Sequence, residues 1–454
     1  MNRALISAAA AGAALAAAVA APFWFWRGGV LELEVLQFIQ QYLDGRTVLA
    51  KVFDPSKNDF GTYQARELSY FIDYLDARVF GALMRQGWIP FIPMSALVSS
   101  VASAVIVLRS LRRYAVGLGP ATLLALLYLT NYVHVVTMGM FYRATKPLVA
   151  PLLMAAVFYL AARLREIHVD GGERPAWKRA IPGLTVFALF LLMGLLDRQG
   201  YFYALAGAGM LVTWTLFNRR AWIMAAAAVS AAVVLTAYNW WIGPAIVQAV
   251  NGYTPGFDYQ QIPPDRLQDF TPFRKATAMV IENSTLLLGS TSAIVSGAMM
   301  AAALVLGLKR TPDMKWRVTV LVVAAGVLAS QIVMFGLMIA RHAMVYDWVD
   351  HRYWYYPLPF QALLFACLCL LIARAMQGWS ATGRAVAAGV IVLLIAGNIS
   401  HWTDYRSRTM NSRWFSRVYP QTLILRESLE KNDADPRLIL QYYKFYEFCQ
   451  KLRQ

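Results

Sequence analysis

Acidic residues stand among aromatic ones between residues 58 and 78, and this stretch is the part of the chain best suited to chemistry. Its acids are Asp59, Glu67, Asp73 and Asp76. A carboxylate can take a proton from an attacking hydroxyl group, or it can hold a divalent metal beside a phosphate. Two structural roles remain open as alternatives. Asp59 can cap a helix, and the other acids can form a solvated face that pairs with Arg66 and Arg78.

The same stretch predicts an amphipathic helix from about Tyr63 to Phe80 that lies on the outer membrane surface. Apolar residues recur there at helical spacing; they are Leu68, Phe71, Ile72 and Leu75. Asp73 and Asp76 are three residues apart, so they share one face of the helix, whereas Glu67 is displaced along it. The spacing therefore predicts a group of carboxylates held at a membrane interface.

Basic and aromatic residues in short connections between apolar runs form a second group of candidates. The basic ones are Arg143, Lys146, Arg198, Arg341, His351 and Arg352. A lipid phosphate needs cations at headgroup depth, and ionisable residues near hydrocarbon are candidates for function because they are costly to keep there. The alternative is structural: Arg198 pairs with Asp197, Arg352 pairs with Asp350, and the neighbouring aromatic residues anchor the chain at the interface.

The composition excludes an ordinary soluble enzyme, since 59% of the residues are hydrophobic, only 15% are charged and the mean hydropathy is +0.47. Apolar runs long enough to cross a bilayer predict an all-α polytopic membrane protein with about eleven transmembrane helices. The runs lie near 4–26, 91–110, 118–138, 147–164, 180–197, 201–217, 221–242, 284–308, 317–340, 356–374 and 384–400. His134, inside one run, is expected to be a hydrogen-bonded packing residue.

The charge pattern predicts the orientation of these spans. Most Lys and Arg residues cap alternate connections, so the positive-inside rule places the N-terminus in the cytoplasm and, with eleven spans, the C-terminus in the periplasm. The net charge of +17 is interpreted as topology and lipid-headgroup charge, not as a nucleic-acid surface. A transmembrane domain would cover residues 1–400, with external loops at 27–90 and 243–283 and a small external tail at 401–454. Composition favours a bacterial inner membrane.

The membrane portion resembles the GT-C class of membrane glycosyltransferases, which includes the protein O-mannosyltransferases and the aminoarabinose transferases that act on lipid A. The resemblance rests on the cytoplasmic N-terminus, about eleven spans, an acid-bearing loop after the first span and the outward stretch 352–357. Asp59, followed by Tyr63 and then Glu67, is similar to the class pattern of an acid, an aromatic residue and a second acid. In one departure, Phe60 and not an acid directly follows Asp59, so the choice among the acids stays open.

The resemblance implies transfer of a sugar from a polyprenyl-phosphate donor to an acceptor on the outer side of the membrane, with inversion at the anomeric carbon. It implies Asp59 as the first-choice base, with Glu67 and Asp73 in reserve. The residues implied to hold the departing phosphate are Arg198, Lys146 and Arg352, assisted by Arg143, Arg341 and His351. Those implied to stack on the sugar or line the lipid groove are Tyr63, Trp354 and Tyr355.

The implied partners are the lipid-linked donor, the membrane and an acceptor that is a lipid-linked glycan or another envelope component. A sugar phosphodiester is already activated, so no nucleotide is needed, and the sequence leaves open whether magnesium or manganese takes part. Two other classes stay open. A non-enzymatic lipid or polysaccharide transporter predicts paired broken helices with polar residues at the bilayer midplane. A structural subunit of an envelope complex predicts that each acid of the first loop is dispensable.

Overall fold

The structure is a computed structural model of the 454-residue chain. It describes residues 3–25, 47–53, 62–63, 65–85, 93–138, 145–169, 176–257, 268–285, 314–341, 357–376 and 379–402, with single positions at 301, 305 and 309. The described part is almost entirely helical, with one pair of two-residue strands. This agrees with the all-α class that the composition predicts.

The first half of the described chain contains a long N-terminal helix, a short surface section and a run of apolar helices. Its elements are α1 (Arg3–Phe25), α2 (Val48–Val52), β1 (Thr62–Tyr63), α3 (Glu67–Arg85), α4 (Met94–Arg113), α5 (Leu118–Leu129), α6 (Tyr132–Thr137) and α7 (Thr145–Val169). The amphipathic helix of the first loop is therefore present as α3. It begins at Glu67, because Tyr63, where the sequence predicts its start, belongs to β1.

The second half continues with paired helices. Its elements are α8 (Ala176–Leu196), α9 (Arg198–Phe217), α10 (Trp222–Ala237), α11 (Gly243–Asn251), β2 (Gly256–Phe257), α12 (Thr271–Thr285), α13 (Met314–Arg341), α14 (Pro357–Met376) and α15 (Ala381–Ser400). A π-helical turn, Tyr238–Ile242, joins α10 to α11. Each of ten predicted spans overlaps helical segments, whereas most of 284–308 lies outside the described residues.

Four helical segments in the described chain are long and apolar enough to cross a membrane. They are Leu5–Pro22, Met94–Arg113, Arg219–Asn251 and Ala381–Ser400. Shorter apolar helical stretches lie in α5, α7, α8, α13 and α14, for example Leu148–Leu164 and Leu358–Ala373. By length and composition these helices are compatible with an all-α membrane protein, and the full set of eleven spans remains a prediction.

The predicted span at 118–138 is not one continuous helix. The helix α5 ends at Leu129, and α6 begins at Tyr132 after the two residues Thr130 and Asn131. The interruption leaves main-chain groups that need partners. The Trp402 indole donates to the Thr130 carbonyl oxygen over 3.2 Å, and the Val133 amide donates to the Asn131 side chain over 2.9 Å. These bonds stabilise the break.

Two apolar cores hold the helices together, and α7 and α14 contribute to both. One core contains residues of α1, α4, α5, α6 and α15, with Met154 of α7 and Phe365 of α14. The other contains residues of α8, α9, α10, α12 and α13, with Leu153 of α7 and Phe360 of α14. The adjacent α7 and α14 thus join the two halves of the domain.

The loop between α1 and α4 and the loop after α11 are bound to each other. Strands β1 and β2 pair in parallel, with Thr62 opposite Gly256 and Tyr63 opposite Phe257. The side-chain amide of Asn251 donates to the main-chain oxygen of Phe53 over 2.6 Å. Because the two segments touch, they lie on the same side of the helical domain.

Candidate functional site

The helix α3 turns its acidic face toward the protein and an apolar face outward. Asp73 and Asp76 are only 4% and 5% exposed, so the two acids do share a buried face, as their spacing predicts. On the opposite side Phe71 is 40% exposed and Leu75 is 45% exposed. The solvated-face alternative for these acids is therefore wrong. An exposed apolar stripe over buried carboxylates suits a helix whose outer face meets lipid.

The neighbours of α3 explain this orientation. The helix packs against α2, α4, α7 and α8. Its Leu68 and Ile72 pack, partly buried, against the core that also contains Leu196 at the end of α8. The predicted apolar stripe is thus divided: two of its residues anchor α3 to the helical domain and two point away from it. The apolar anchors fix the helix so that Asp76 lies against the start of α4.

The start of α3 is held by an unusual backbone conformation. Ala65 has φ of 44°, in the left-handed region that residues with a Cβ rarely adopt, and only 2% of it is exposed. It packs with Val247 of α11 in a small apolar cluster. Such strain persists only where surrounding structure imposes it, and it is common at functional sites. Here it directs the next two residues, Arg66 and Glu67, into the protein.

Buried cations accompany the buried acids. Arg66 is 7% exposed, and its Nε donates to the Tyr70 hydroxyl over 3.1 Å. Lys51 of α2 is 5% exposed, and its Nζ lies 5.6 Å from the centre of the Tyr74 ring. Glu67 is 6% exposed. Charged groups are almost never buried to this degree unless they are paired, so α2 and α3 enclose a concentrated polar site.

Asp76 has a structural task that its sequence position does not reveal. One of its carboxylate oxygens accepts from the Ser95 amide over 3.0 Å, and the other accepts from the Ser95 hydroxyl. Ser95 lies in the first turn of α4, where main-chain N–H groups lack partners within the helix. Asp76 thus caps α4 from α3 and ties the surface helix to a spanning helix. Burial raises the pKa of Asp76 to about 6, although the bonds from Ser95 act in the opposite direction.

The Asp76 carboxyl is expected to make folding stability depend on pH. Its pKa is about 6 in the folded protein against an ordinary 3.8, so the stability it contributes is full below pH 4. That stability is lost as the pH rises from about 4 to about 6, by on the order of 3 kcal/mol. In Asp76→Asn this loss should disappear, because the amide does not ionise.

Thermal unfolding in detergent across this pH range measures the effect. Asp269→Asn is the matched control, since Asp269 is exposed and its pKa is lowered, chiefly by bonds from Thr271. The control should therefore keep the wild-type loss of stability between pH 4 and 6. Equal pH profiles for wild type and Asp76→Asn would contradict the assigned role of Asp76.

The turn between α8 and α9 contains a second pair of charged residues. Asp197, which is 1% exposed, accepts from the Gln199 amide over 2.8 Å and so caps α9. Arg198, the first residue of α9, is half-buried. The helix α3 packs on α8, and this turn follows α8 directly, so the acids of α3 and Arg198 stand on neighbouring elements of the fold. A cation at a helix N-terminus favours an anion there.

The other predicted site residues are placed only within an element or lie outside the described residues. Tyr63, Lys146 and Arg341 are described only as members of β1, α7 and α13, respectively. The following lie outside the described residues: Asp59, Arg143, His351, Arg352, Trp354 and Tyr355. Their predicted roles stay predictions. Among the residues that are described, no group of three or more His, Cys, Asp or Glu side chains is placed to hold a metal ion.

Sequence patterns missed two features of the site and anticipated one feature of the helical domain outside it. Lys51 stands in a stretch without clear periodicity, and the sequence suggests Arg66 only as a partner for acids on a solvated face. Both proved to be buried beside α3. The prediction that His134 is a hydrogen-bonded packing residue is confirmed, since its Nε2 lies 3.1 Å from the Ser100 hydroxyl.

Comparison with known proteins identified no significant relative of this chain. No family model matches the chain, no curated protein is significantly similar to it, and no solved structure matches its fold significantly. The likeness to the GT-C class accordingly depends on the arrangement of spans and on the residues of the first loop and of 352–357.

Proposed function

We propose that the protein is an inverting membrane glycosyltransferase that transfers a sugar from a polyprenyl-phosphate donor to an acceptor on the outer side of a bacterial inner membrane. The observation that carries the proposal is the buried acidic face of α3, whose opposite face is apolar and exposed. A helix of this kind holds carboxylates at the level of lipid headgroups. That is the depth at which the bond between a lipid phosphate and its sugar would lie.

The chemistry requires three actions at this depth. A carboxylate takes the proton from the acceptor hydroxyl, whose oxygen forms a bond to the anomeric carbon. The bond from that carbon to the phosphate oxygen breaks, and polyprenyl phosphate leaves with the electron pair. Cations stabilise the negative charge that develops on the leaving phosphate. No redox step or nucleotide is needed.

The residues available for these actions fall into two groups. Asp59 remains the first-choice base, and Glu67 and Asp73 are the reserves, both of them buried on α3. Arg198, which is half-buried at the start of α9, is the first of the proposed phosphate-binding cations. The proposed set is completed by five further basic residues, which are Lys146, Arg352, Arg143, Arg341 and His351. Tyr63, Trp354 and Tyr355 would contact the sugar or lipid, and magnesium or manganese would be an optional aid beside the carboxylates.

We propose the membrane topology together with the function. Eleven spans with a cytoplasmic N-terminus would place the loops 27–90 and 243–283 and the tail 401–454 in the periplasm. The pairing of β1 with β2 supports a common side for the first two of these segments. The small size of the tail favours a lipid-linked or other envelope glycan over a folded protein as the acceptor.

A donor panel tests the proposed function. The purified protein is incubated in detergent with radiolabelled polyprenyl-phosphate sugars, and hydrolysis or transfer is measured for each. The proposal predicts turnover of at least one donor, with release of polyprenyl phosphate. A folded protein that neither binds nor turns over any of them would contradict it.

A transporter is the second candidate, because one specific observation favours it. The helix predicted at 118–138 is interrupted between Leu129 and Tyr132, and broken helices are common at transporter binding sites. Uptake of a labelled lipid-linked sugar into proteoliposomes, without cleavage of its phosphate bond, would favour this class. Cleavage without uptake would favour the transferase.

A further inference from the structure

The longest of the four segments able to cross a membrane presents an apolar stripe to its surroundings. This segment, Arg219–Asn251, has 33 residues and includes α10, the π-helical turn and α11. The exposed large apolar side chains in the middle of α10 are Val229, Val233 and Val234. Side chains four residues apart share a face of an α-helix, so these valines form one stripe. An exposed apolar surface marks contact with protein or with lipid.

Tryptophan side chains stand at both ends of this stripe. Trp222, the first residue of α10, is 61% exposed, and Trp240 and Trp241 of the π-helical turn are 43% and 67% exposed. From Trp222 to Trp240 a helix rises about 27 Å, at about 1.5 Å for each residue. The hydrocarbon core of a bilayer is about 30 Å thick, and tryptophan is enriched at both of its interfaces with water. The tryptophans are therefore spaced like the two interfaces of a bilayer.

The exposed surface becomes polar beyond each group of tryptophans. Arg219 and Arg220, which precede Trp222, are both exposed. On the far side of Trp241, the exposed residues of α11 include Gln248. Charged side chains are costly in hydrocarbon, whereas basic ones are attracted to anionic lipid headgroups. The chemistry of this helical surface thus changes at the two levels at which the chemistry of a bilayer changes.

The π-helical turn also contacts the start of the acidic helix α3. Tyr238, the first residue of the turn, packs partly buried against the cluster of Ala65 and Val247. Ala65 lies two residues before Glu67, where α3 begins. Turns of this type inside α-helices are frequent at functional sites. One turn therefore carries the exposed tryptophans and a side chain that packs at the start of α3, so the level of one is linked to the level of the other.

We propose that Trp240, Trp241 and Ile242 form an interfacial anchor that binds the headgroup region of the outer lipid leaflet and fixes the depth of α3. The partner is a lipid bilayer, whose cytoplasmic surface meets Arg219 and Arg220 at the other end of the stripe. Contact with a second copy of the chain would not require tryptophans one bilayer thickness apart.

The anchor gives α3 a defined level in the membrane. Since Tyr238 packs at the start of this helix, its exposed Phe71 meets the same leaflet as Trp241. The carboxylates on the buried face are then held beside lipid headgroups and not within hydrocarbon. This depth is a property of the fold, so failure of the donor panel would leave it unaffected.

Fluorine NMR of the protein in lipid nanodiscs tests the anchor without depending on activity. Fluorotryptophan replaces tryptophan throughout the chain, and the Trp241 signal is the one that is missing in Trp241→Phe. A nitroxide attached to lipid near the headgroup should broaden this signal several-fold more than a nitroxide near the end of the acyl chain. Trp214 is the matched control, because it is only 6% exposed and should be broadened less than Trp241.

Two added tryptophans test the depth scale and the link to α3. Val233→Trp places a ring between the two tryptophan groups, so its signal should respond more strongly to the nitroxide at the chain end. Phe71→Trp should show the preference of Trp241, and Leu75→Trp serves where Phe71→Trp does not fold. Equal broadening of Trp241 by both nitroxides would overturn the anchor, as would no broadening, the result expected if protein covers it. A folded α3 variant that lacks the headgroup preference would overturn the link to α3.

Discussion

Asp59→Asn is expected to lower the turnover of the lipid-linked sugar by about 10²- to 10⁴-fold, the usual contribution of a general base. The amide has nearly the shape of the carboxylate, yet it cannot accept the proton of the acceptor hydroxyl. Binding of the donor should change little, because the proposed phosphate-binding residues are untouched. Initial rates at saturating donor, together with donor affinity, measure the two effects separately.

Two further substitutions decide among the three acids. Glu67→Gln and Asp73→Asn are made in parallel, and the acid that acts as base is the one whose amide variant loses turnover while its unfolding temperature is kept. Asp76→Asn is the matched control, because Asp76 is as buried as Asp73 on the same helix but serves to cap α4. Full turnover in all three amide variants would exclude a catalytic base in the first loop.

Gly200→Ala is expected to destabilise the protein by about 3 kcal/mol or more, through overpacking. A Cβ at position 200 would lie 1.9 Å from the Met193 carbonyl oxygen, far inside van der Waals contact, so main chain would have to move. This glycine permits α9 to start directly beside the last turn of α8. Since Arg198 belongs to the same turn, we also expect weaker donor binding.

Gly209→Ala is the matched control within α9, because nothing lies within 4 Å of a Cβ at that position. Alanine is favoured over glycine in a helix interior by roughly 0.5–1 kcal/mol, so this variant should be slightly more stable than wild type. Thermal unfolding of both variants in the same detergent measures the difference. Equal unfolding temperatures would contradict the close approach of α8 and α9.

Helix positions were predictable because long apolar runs leave few alternatives in a membrane protein. The run at 91–110 became α4, Met94–Arg113, and the run at 384–400 became α15, Ala381–Ser400. The shared face of Asp73 and Asp76 was also predictable, since helical spacing alone determines it.

The direction of that face was not predictable from α3 alone. In an interfacial helix the apolar side can face lipid or protein, and in α3 it is divided: Leu68 and Ile72 pack on the protein, while Phe71 and Leu75 are exposed. The burial of Lys51 was equally hidden, because it follows from the contact of α2 with α3 and not from any local pattern.

The break in the predicted span at 118–138 was also not predictable, because it depends on a contact with a distant part of the chain. Thr130 and Asn131 are only two residues, they include neither Gly nor Pro, and the mean hydropathy of the surrounding run stays high. What stabilises the break is remote in sequence: Trp402 donates to the Thr130 carbonyl oxygen from the end of α15. Sequence patterns along one segment do not reveal such a partner.

The release of polyprenyl phosphate from a labelled donor is the measurement that tests the central claim most directly. Purified wild-type protein is compared with the Asp59, Glu67 and Asp73 amide variants across the donor panel. The account predicts release with one donor by the wild type and loss of that release in one folded variant. A folded wild-type protein that binds donors but releases no polyprenyl phosphate would contradict the transferase and favour the transporter.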